Sequence, residues 1–423
     1  MKKLLCFVGC FVTSAIAATH ASASTNVGFS GMFEFQGGTN LNRQKSSSSP
    51  KFYDKYGSVE TSGDKITNNN KDLGLYSKAY LALEISRTQS LINYGAKIVV
   101  NTTAKGSSLA GSHLFFESIP GRLELGSNLY ATNTMTVSPY SISAATGDGF
   151  IRFANLLPED EERGTISSYL TGYTDYSLIY DGLYEANMEK PRGITYYSPK
   201  ILGLQAGVTY VPDTTNFGSS GLDKNTNEII TFNSKSYSYN YYNVGIANLL
   251  AVASTYEIDA TRDLSFKFGA GFEHGQTKTH YDSSTPALKF RDLKSYNVGV
   301  IATYGNYSSS LSFADLGKSL TYKGIENIYP NVKNRLYSAG AAYDQGPYGL
   351  SLTYLNNDKF NGTLRSLTLG AQYKLVKNLT TYAELTRYEY KQKGTNQSYL
   401  EYSKITKGRN AGSIVILGTK LSF

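Results

Sequence analysis

The sequence predicts an all-β protein, a closed antiparallel transmembrane β-barrel of about 16 strands whose third long loop folds inward. Four features of the chain support this fold class. Apolar and polar residues alternate in many short segments, and short connections between those segments alternate with long ones. The N-terminus has the features of an export signal, and no later stretch is apolar for long enough to form a membrane-spanning helix.

Residues 1–23 have the order of a secretory signal peptide. Two lysines precede an apolar run that ends near Ala17, and small residues follow as far as Ala23. This order predicts that the segment is removed, with cleavage after Ala17 or Ala23. Both cysteines of the chain lie within the apolar run, so the exported protein, residues 24–423, is expected to have neither disulfide bonds nor thiol chemistry.

The composition of the chain excludes several classes of protein. A mean hydropathy of −0.31 excludes a polytopic helical membrane protein. The longest apolar stretch after the leader, residues 245–254, is shorter than the roughly 20 residues that a spanning helix needs, and it is predicted to form one strand. The formal net charge is +8, but no basic block stands out, so no nucleic-acid partner is expected.

Alternation within single segments predicts strands with one apolar and one polar face. In the first of these, residues 26–36, an apolar face opposes a polar face that contains Glu34 and Gln36. Similar patterns occur at residues 264–272 and 348–354. The last of these has Tyr348 and Tyr354 at the two ends of its apolar face, as expected for strands that meet both membrane interfaces. The members of the first apolar face are Val27, Phe29, Gly31, Phe33 and Phe35.

The connections between predicted strands fall into two length classes. Short connections, rich in Gly, Pro and Asn, are predicted near residues 119–121, 199–202, 305–306 and 345–347. Most of the connections between them are long. Short turns at one rim and long loops at the other are typical of an up-and-down barrel. A β-sandwich or a propeller would bury its apolar face and show blade-like repeats, which this sequence lacks. The main long connections are residues 37–73, 130–190, 212–240, 276–292 and 316–334.

The last predicted strand ends at the final residue. Its apolar face ends with Leu421 and Phe423. This pattern resembles the C-terminal strand of outer-membrane β-barrels of Gram-negative bacteria, which ends in a phenylalanine. The resemblance implies that Leu421 and Phe423 form the signal read by the barrel assembly machinery, and that the protein lies in the outer membrane among lipid and lipopolysaccharide. The full apolar face is Val415, Leu417, Thr419, Leu421 and Phe423.

Short runs of sequence resemble general-diffusion porins of Gram-negative bacteria. Residues 192–199 and 203–210 resemble the strand, turn and strand that follow the third loop in that family, and residues 121–126 resemble the strand that precedes it. The opening strand, residues 27–33, is also similar. The resemblance implies a homotrimer of 16-stranded barrels through which small polar solutes and ions diffuse passively.

Residues 130–190 form the connection that this resemblance identifies as the third loop. The segment contains nine acidic and three basic residues in a chain of positive net charge, and so long an irregular connection is uncommon unless it is functional. We expect it to narrow the pore and to place charge there. The candidate loop residues at the constriction are Asp148, Arg152, Glu159 and Asp160.

Three basic residues are the candidates for the opposite side of the constriction. Lys78, Lys97 and Arg122 lie on the polar faces of early predicted strands. The resemblance implies that this part of the wall supplies the basic side, and opposite charges across a narrow gap create a strong transverse field.

The sequence contains no motif for a catalytic site, a metal or a cofactor, so no enzyme activity is expected. Three classes of function remain open. The first is a general-diffusion porin, and the second is a substrate-specific outer-membrane channel. The third is a surface adhesin or antigen that uses the barrel as its anchor. Which loop acids line the pore, the ion selectivity and the preferred solute stay open as well.

Overall fold

The computed structural model describes residues 24–41, 52–53, 59–60, 73–103, 106–146, 150, 153, 192–214, 228–232, 235–239, 245–278, 291–319, 333–359, 362–392 and 409–423. These residues form almost entirely β-structure. Among them, no helix is both long enough and apolar enough to span a membrane. The predicted signal peptide lies outside the described residues.

Twenty strands and two single-turn helices make up the described chain. The helices are α1 (Ala131–Thr134) and a 3-10 turn (Pro139–Ile142). The strands are Ser24–Asn40 (β1), Phe52–Tyr53 (β2), Val59–Glu60 (β3), Gly74–Gln89 (β4), Ile92–Thr103 (β5), Gly106–Ser118 (β6), Gly121–Ser127 (β7), Arg192–Tyr197 (β8), Leu204–Asp213 (β9), Glu228–Phe232 (β10), Lys235–Tyr239 (β11), Gly245–Asp259 (β12), Leu264–Lys278 (β13), Leu293–Tyr304 (β14), Tyr307–Asp315 (β15), Arg335–Gln345 (β16), Tyr348–Lys359 (β17), Gly362–Val376 (β18), Leu379–Gln392 (β19) and Arg409–Ser422 (β20).

Sixteen of these strands close into one antiparallel barrel, which confirms the predicted fold class. The order around the barrel follows the chain from β4 to β20, with β9 beside β12, and β1 closes the ring between β4 and β20. The strands β2 and β3, and likewise β10 and β11, form separate two-stranded sheets. The predicted alternation of connections is also confirmed, because turns as short as residues 305–306 and 346–347 alternate with mostly longer connections.

Side-chain exposure separates the two faces of the barrel wall. On β17, Leu350 and Leu352 are about half exposed, whereas Ser351 and Thr353 are buried. Because successive residues of a strand point to opposite faces, the exposed apolar side chains lie outside and the buried polar ones inside. The outer face is therefore apolar, as lipid requires of a closed barrel.

Two belts of aromatic rings border this apolar outer face. Towards the long loops, the Phe313 ring lies 4.9 Å from that of Tyr337, centroid to centroid. Towards the short turns, Tyr307 packs on Tyr343 at 4.8 Å. These belts are the girdles that tyrosines form at membrane interfaces, and they correspond to the aromatic positions predicted at the ends of residues 348–354.

The inner face is less polar than the alternation predicts. A cluster of buried apolar side chains lies inside the barrel, towards the long-loop rim, and it includes Tyr130 and Phe150 from the third loop. The alternation predicted that each strand has one polar face, and that expectation is wrong for the inner face at this level, because the inward loop gives apolar wall residues a surface to pack against. The wall members include Val211, Leu249, Leu293, Leu336, Leu355, Leu364, Ile414 and Ile416.

Candidate pore lining

The third loop runs along the inside of the barrel wall. We call its described part, residues 130–146 with Phe150 and Phe153, the inner segment. It leaves the end of β7, forms α1 and the 3-10 turn, and contacts inward-facing residues of strand after strand around the barrel. The predicted inward fold of this loop is therefore present in the inner segment.

Inward-facing glycines on five strands allow the inner segment to lie directly on the sheet. A Cβ atom at Gly299 would overlap the carbonyl oxygen of Val137, and one at Gly269 would lie 2.6 Å from Val137 Cγ2. Glycine in a strand commonly marks such a close backbone approach. We call these strands the loop-bearing wall. The five glycines, in order around the barrel, are Gly207 (β9), Gly269 (β13), Gly299 (β14), Gly340 (β16) and Gly370 (β18).

Backbone amides near both ends of the inner segment donate to wall hydroxyls. The Ala131 amide donates to Thr209 Oγ1 over 2.8 Å, at the start of α1. The Ala144 amide donates to Ser351 Oγ over 2.8 Å, after the 3-10 turn. Irregular backbone inside a barrel needs partners for its N–H groups, and the wall supplies them here.

Two buried wall carboxylates hold threonines of the inner segment. Thr132 Oγ1 donates to Glu273 Oε1 over 2.5 Å, and Ser295 Oγ donates to the other carboxylate oxygen over 3.1 Å. Further around the barrel, Thr146 Oγ1 donates to Glu384 Oε2 over 2.6 Å. These hydrogen bonds attach the inner segment to the wall at β13 and at β19.

The far end of the inner segment reaches the seam where the barrel closes. The Phe150 ring stacks on Tyr388 of β19, with centroids 6.1 Å apart. The Phe153 ring lies against two inward glycines, Gly38 on β1 and Gly74 on β4, where an added Cβ would come within about 3 Å of it. From β9 to β4 the segment therefore follows most of the inner circumference.

Two tyrosines of β19 reach across β20 at this seam. The Tyr382 hydroxyl donates to Glu34 Oε1 over 2.6 Å and accepts from Gln36 Nε2 over 2.8 Å, with its ring over Gly418. In the same way the Tyr388 ring covers Gly412, and its hydroxyl accepts from Asn40 Nδ2 over 3.0 Å. Each tyrosine thus links β19 to β1 over the last strand.

The three predicted basic residues all lie on the inner face, each beside a carboxylate. Lys78 Nζ lies 3.2 Å from Glu34 Oε2, across the pairing of β1 with β4. Lys97 Nζ lies 3.4 Å from Glu84 Oε2, across the pairing of β4 with β5. This part of the wall therefore carries paired charges of both signs, and we call the inward faces of β4 to β7 the charged wall.

Arg122 is the most fully engaged of the three. Its Nε donates to Glu124 Oε1 over 2.7 Å, and its Nη1 lies 3.4 Å from Glu117 Oε2. The guanidinium carbon also sits 4.3 Å from the centre of the Phe115 ring, a cation–π distance. His113 completes the group, with Nε2 4.0 Å from Glu124 Oε1.

The predicted loop charges lie outside the described residues. This applies to Asp148, Arg152, Glu159 and Asp160. Residues 130–146 contain no charged side chain, so every charge of the third loop lies beyond that stretch. That those charges face the charged wall across the pore stays a prediction.

The predicted assembly residues lie at the seam. Leu421 is the partner of Phe33 in the register of β20 with β1. Phe423 exchanges two backbone hydrogen bonds with Gly31, at 2.8 and 3.0 Å, and its ring lies 5.4 Å from that of Phe29. The last residue therefore continues the ladder that closes the barrel.

Sequence reasoning missed the partners of these residues. The wall carboxylates Glu84, Glu124, Glu273 and Glu384 are polar-face residues in their strands, which the alternation shows, but the residue opposite each of them depends on strand register. The inward glycines were a usable signal, because five glycines on polar strand faces mark places where another chain segment approaches. Within the described part of the chain, no group of His, Cys, Asp and Glu side chains could hold a metal ion.

Comparison with known proteins identifies the family of this chain. Residues 11–393 match the Gram-negative porin family. An uncharacterized protein of Rickettsia prowazekii is 31% identical over 396 residues, covering 85% of this chain and 87% of its own, and one of Rickettsia felis is 29% identical with both chains fully covered.

Solved structures agree on the fold. A mutant of Rhodopseudomonas blastica porin superposes with a TM-score of 0.53 at 10% identity, covering 94% of this chain and all of its own. A triple mutant of the same porin gives a TM-score of 0.51 at 11% identity over the same shares. The chain belongs to the Gram-negative porin family and is a non-enzymatic β-barrel of the outer membrane.

Proposed function

We propose that this protein forms a water-filled channel for passive diffusion of small hydrophilic solutes and ions across the outer membrane. The observation that carries the proposal is the path of the inner segment along the wall. Barrels of about 16 strands are too wide for side chains to fill. A loop attached along the wall narrows such a lumen and leaves an opening beside it.

The proposed constriction lies between the third loop and the charged wall. Lys78, Lys97 and Arg122 provide positive charge on the wall, and the acidic residues of the loop provide the opposing charge. The carboxylates beside them, such as Glu84, reduce the net electric field of the wall. A passing ion therefore meets both positive and negative side chains there. The proposed loop contributors are Asp148, Arg152, Glu159 and Asp160.

Single-channel recording of the purified protein in a planar bilayer tests the proposal. A diffusion pore gives a large ohmic conductance that rises with salt concentration. Block by one solute at low concentration would instead indicate a substrate-specific channel. A correctly folded barrel without conductance would contradict the proposal and favour a barrel-anchored adhesin or antigen.

A homotrimer is also proposed, with β20, β1 and β4 at its centre. Their outward faces carry apolar residues such as Phe33 and Leu83, which are 49% and 40% exposed. Among the described residues of these three strands, no tyrosine lies on the outward face, whereas aromatic belts border β14 to β18. A face without interfacial tyrosines fits contact with another barrel better than contact with lipid. Mass measurement after gentle detergent extraction tests this, and a uniform monomer in every gentle detergent would contradict it.

Recognition by the barrel assembly machinery is proposed for Leu421 and Phe423. Support comes from their place on the outward face at the edge where β20 meets β1. Deletion of Phe423 should leave the protein in the periplasm or degraded when expression is low. Normal surface levels of the deletion variant would contradict the assignment.

A further inference from the structure

Tyr382 and Tyr388 form a matched pair on the inner face of β19. Each ring reaches over a glycine of β20, and each hydroxyl is hydrogen-bonded to a side chain of β1. The glycines are Gly418 beneath Tyr382 and Gly412 beneath Tyr388, and a Cβ atom at either position would overlap the ring. The two tyrosines therefore make the same structural contact with β20, but their hydroxyls meet different groups on β1.

Tyr388 meets a neutral amide on β1, whereas Tyr382 meets a carboxylate. The Tyr388 hydroxyl accepts from Asn40 Nδ2 over 3.0 Å. The Tyr382 hydroxyl accepts from Gln36 Nε2 over 2.8 Å and donates to Glu34 Oε1 over 2.6 Å. Because a hydroxyl has one proton to donate, the contact with Gln36 leaves that proton for the carboxylate.

Glu34 lies between two lysines in one row of inward-facing residues. Lys78 of β4 and Lys420 of β20 are its register partners on the two neighbouring strands. The Nζ atom of Lys78 lies 3.2 Å from Glu34 Oε2, whereas the Tyr382 hydroxyl contacts Glu34 Oε1. The lysine and the tyrosine therefore contact different oxygens of the same carboxylate.

The residues of this row differ in their exposure. The side chain of Glu34 is 4% exposed and that of Lys78 is 28% exposed, and Lys420 is exposed as well. A solute in the lumen therefore meets ammonium groups at this level, and the carboxylate lies behind them. The charged wall shows no such difference, because the side chains of Lys97 and Glu84 are 31% and 36% exposed.

A buried carboxylate needs hydrogen-bond donors, and Tyr382 supplies one to Glu34. Burial of a charged group is costly unless the group is paired and hydrogen-bonded, since the donors replace the water that the group has lost. A hydroxyl that donates to a carboxylate makes a short, strong hydrogen bond. Removal of the hydroxyl would leave a buried oxygen without this donor, and a turn of the Glu34 side chain towards lumen water would restore its solvation.

We propose that Tyr382 is a positioning residue of the pore, which holds the Glu34 carboxylate against the seam so that Lys78 and Lys420 present positive charge to the lumen. This role rests on the proposed function as a channel. Tyr382 is itself buried, so it acts on permeating ions through Glu34. Without the hydroxyl, the carboxylate would share the lumen surface with the two lysines, and the pore would favour cations more.

Reversal-potential measurements on Tyr382→Phe test this role. The variant keeps the ring over Gly418 and removes only the hydroxyl. We expect the ratio of cation to anion permeability to rise about twofold at low salt, because a negative charge that reaches the lumen acts directly on a passing ion. The rise should shrink at high salt. The matched control is Tyr388→Phe, which removes the hydroxyl that meets Asn40 and should leave the ratio unchanged.

A second substitution shows whether Tyr382 acts through Glu34. Glu34→Gln removes the negative charge and should shift the permeability ratio towards anions. Tyr382→Phe added to Glu34→Gln should then cause no further shift, because no carboxylate is left to move. A merely structural role of the hydroxyl would give the same shift in both backgrounds, and that result would overturn the proposal.

Carbodiimide labelling of carboxylates, read by peptide mass spectrometry of the folded protein, measures the position of Glu34 independently of conductance. In the wild type, Glu84 should be labelled readily and Glu34 should be protected. Tyr382→Phe should remove that protection, and Tyr388→Phe should not. The wild-type measurement needs no variant, so it tests the position of Glu34 even if Tyr382→Phe does not fold.

Three further results would overturn the proposal. An unchanged permeability ratio in folded Tyr382→Phe would show that the hydroxyl does not control the charge at the seam. Equal shifts in Tyr382→Phe and Tyr388→Phe would assign the effect to a general loosening of the seam. Labelling of wild-type Glu34 as fast as that of Glu84 would show that the carboxylate already faces the lumen.

The labelling also separates this inference from the proposed function. A folded barrel that conducts no ions would contradict the channel. If Glu34 in that barrel were still protected in the wild type and released by Tyr382→Phe, the result would support the role of Tyr382 in holding the carboxylate.

Discussion

The two sides of the inner barrel wall differ in the residues that occupy their inward-facing positions. The loop-bearing wall has glycines where the inner segment touches it, and two carboxylates, Glu273 of that wall and Glu384 of β19, are buried against loop hydroxyls. The charged wall, from β4 to β7, keeps its charges in pairs on the lumen face, and Lys97 and Arg122 remain about 30% exposed there. One wall therefore holds the inner segment, and the other carries the paired charges that we propose face the pore.

This difference separates two tasks within one sheet. Attachment requires small residues and buried hydrogen bonds, which fix the position of the loop but present little charge to a solute. Control of permeation requires exposed charge, which water screens only in part. The comparison therefore predicts that substitutions on the loop-bearing wall change the size of the pore, whereas substitutions on the charged wall change its selectivity.

Excision of the third loop should have the largest effect. Joining β7 to β8 by a short turn in place of residues 130–190 should raise single-channel conductance several-fold, because the lumen loses its inward obstruction. The control is a shortened connection between β19 and β20, which should leave the conductance unchanged. An excision variant that folds normally and conducts like the wild type would remove the third loop from the permeation path.

Substitution of a single inward glycine should have a smaller effect on the conductance, and in the opposite direction. Gly299→Leu places a side chain where the Val137 backbone lies, and overpacking of this sort costs about 1–3 kcal/mol. The inner segment should move off the wall, so the conductance should fall and the open-channel current should become noisier. Ala302→Leu, which adds atoms to the lipid-facing side of the same strand, is the control. Identical recordings for both variants would mean that the inner segment does not rest on β14.

Charge reversal on the charged wall should shift selectivity with little change in conductance. Lys97→Glu should move the reversal potential towards cations, since a unit charge near a permeating ion is worth on the order of 1 kcal/mol even with water present. Lys78→Glu and Arg122→Glu should act in the same direction. The shift should shrink as salt is raised.

The ion pair of Lys97 with Glu84 supplies the control for the charge-reversal experiment. Adding Glu84→Lys to Lys97→Glu exchanges the two charges and should return the reversal potential close to that of the wild type. Arg87→Glu, on the outward face of β4, should leave it unchanged. A shift of equal size for Arg87→Glu would show that the effect comes from the overall charge of the protein.

Charge reversals in the third loop test the same difference between pore size and ion selectivity. Asp148→Lys, Glu159→Lys and Asp160→Lys should move the reversal potential towards anions. An unchanged reversal potential at low salt for every loop reversal would place these acids away from the permeation path.

Much of the fold could be predicted from patterns among neighbouring residues in the sequence, whereas much of the candidate site could not. Alternation and turn composition are properties of adjacent residues, so the strand count, the short turns and the terminal strand were predictable. The unusual length of residues 130–190 indicated the inward loop. The attachment of that loop was not predictable, because the contact of Thr132 with Glu273 joins residues 141 positions apart.

The charged wall shows the same limit at closer range. Polar-face positions identified Lys78, Lys97 and Arg122 as lumen residues. Their pairing with Glu34, Glu84 and Glu124 depends on strand register and, for Arg122, on side-chain conformation within one strand. The apolar cluster inside the barrel was missed for a related reason, since its wall members become buried only through the three-dimensional path of the chain.

Disulfide trapping of the inner segment against the wall tests the central claim most directly. An added Cβ at Gly370 would lie 3.2 Å from Ala145 Cβ, close to the separation of about 3.5–4.5 Å in a disulfide. Ala145→Cys with Gly370→Cys should therefore cross-link in the folded, membrane-inserted protein and keep the wild-type conductance. Ala145→Cys with Leu369→Cys, whose second cysteine faces lipid, should not cross-link. Absence of the first cross-link, or equal cross-linking of both pairs, would contradict a loop that lies along the inner wall.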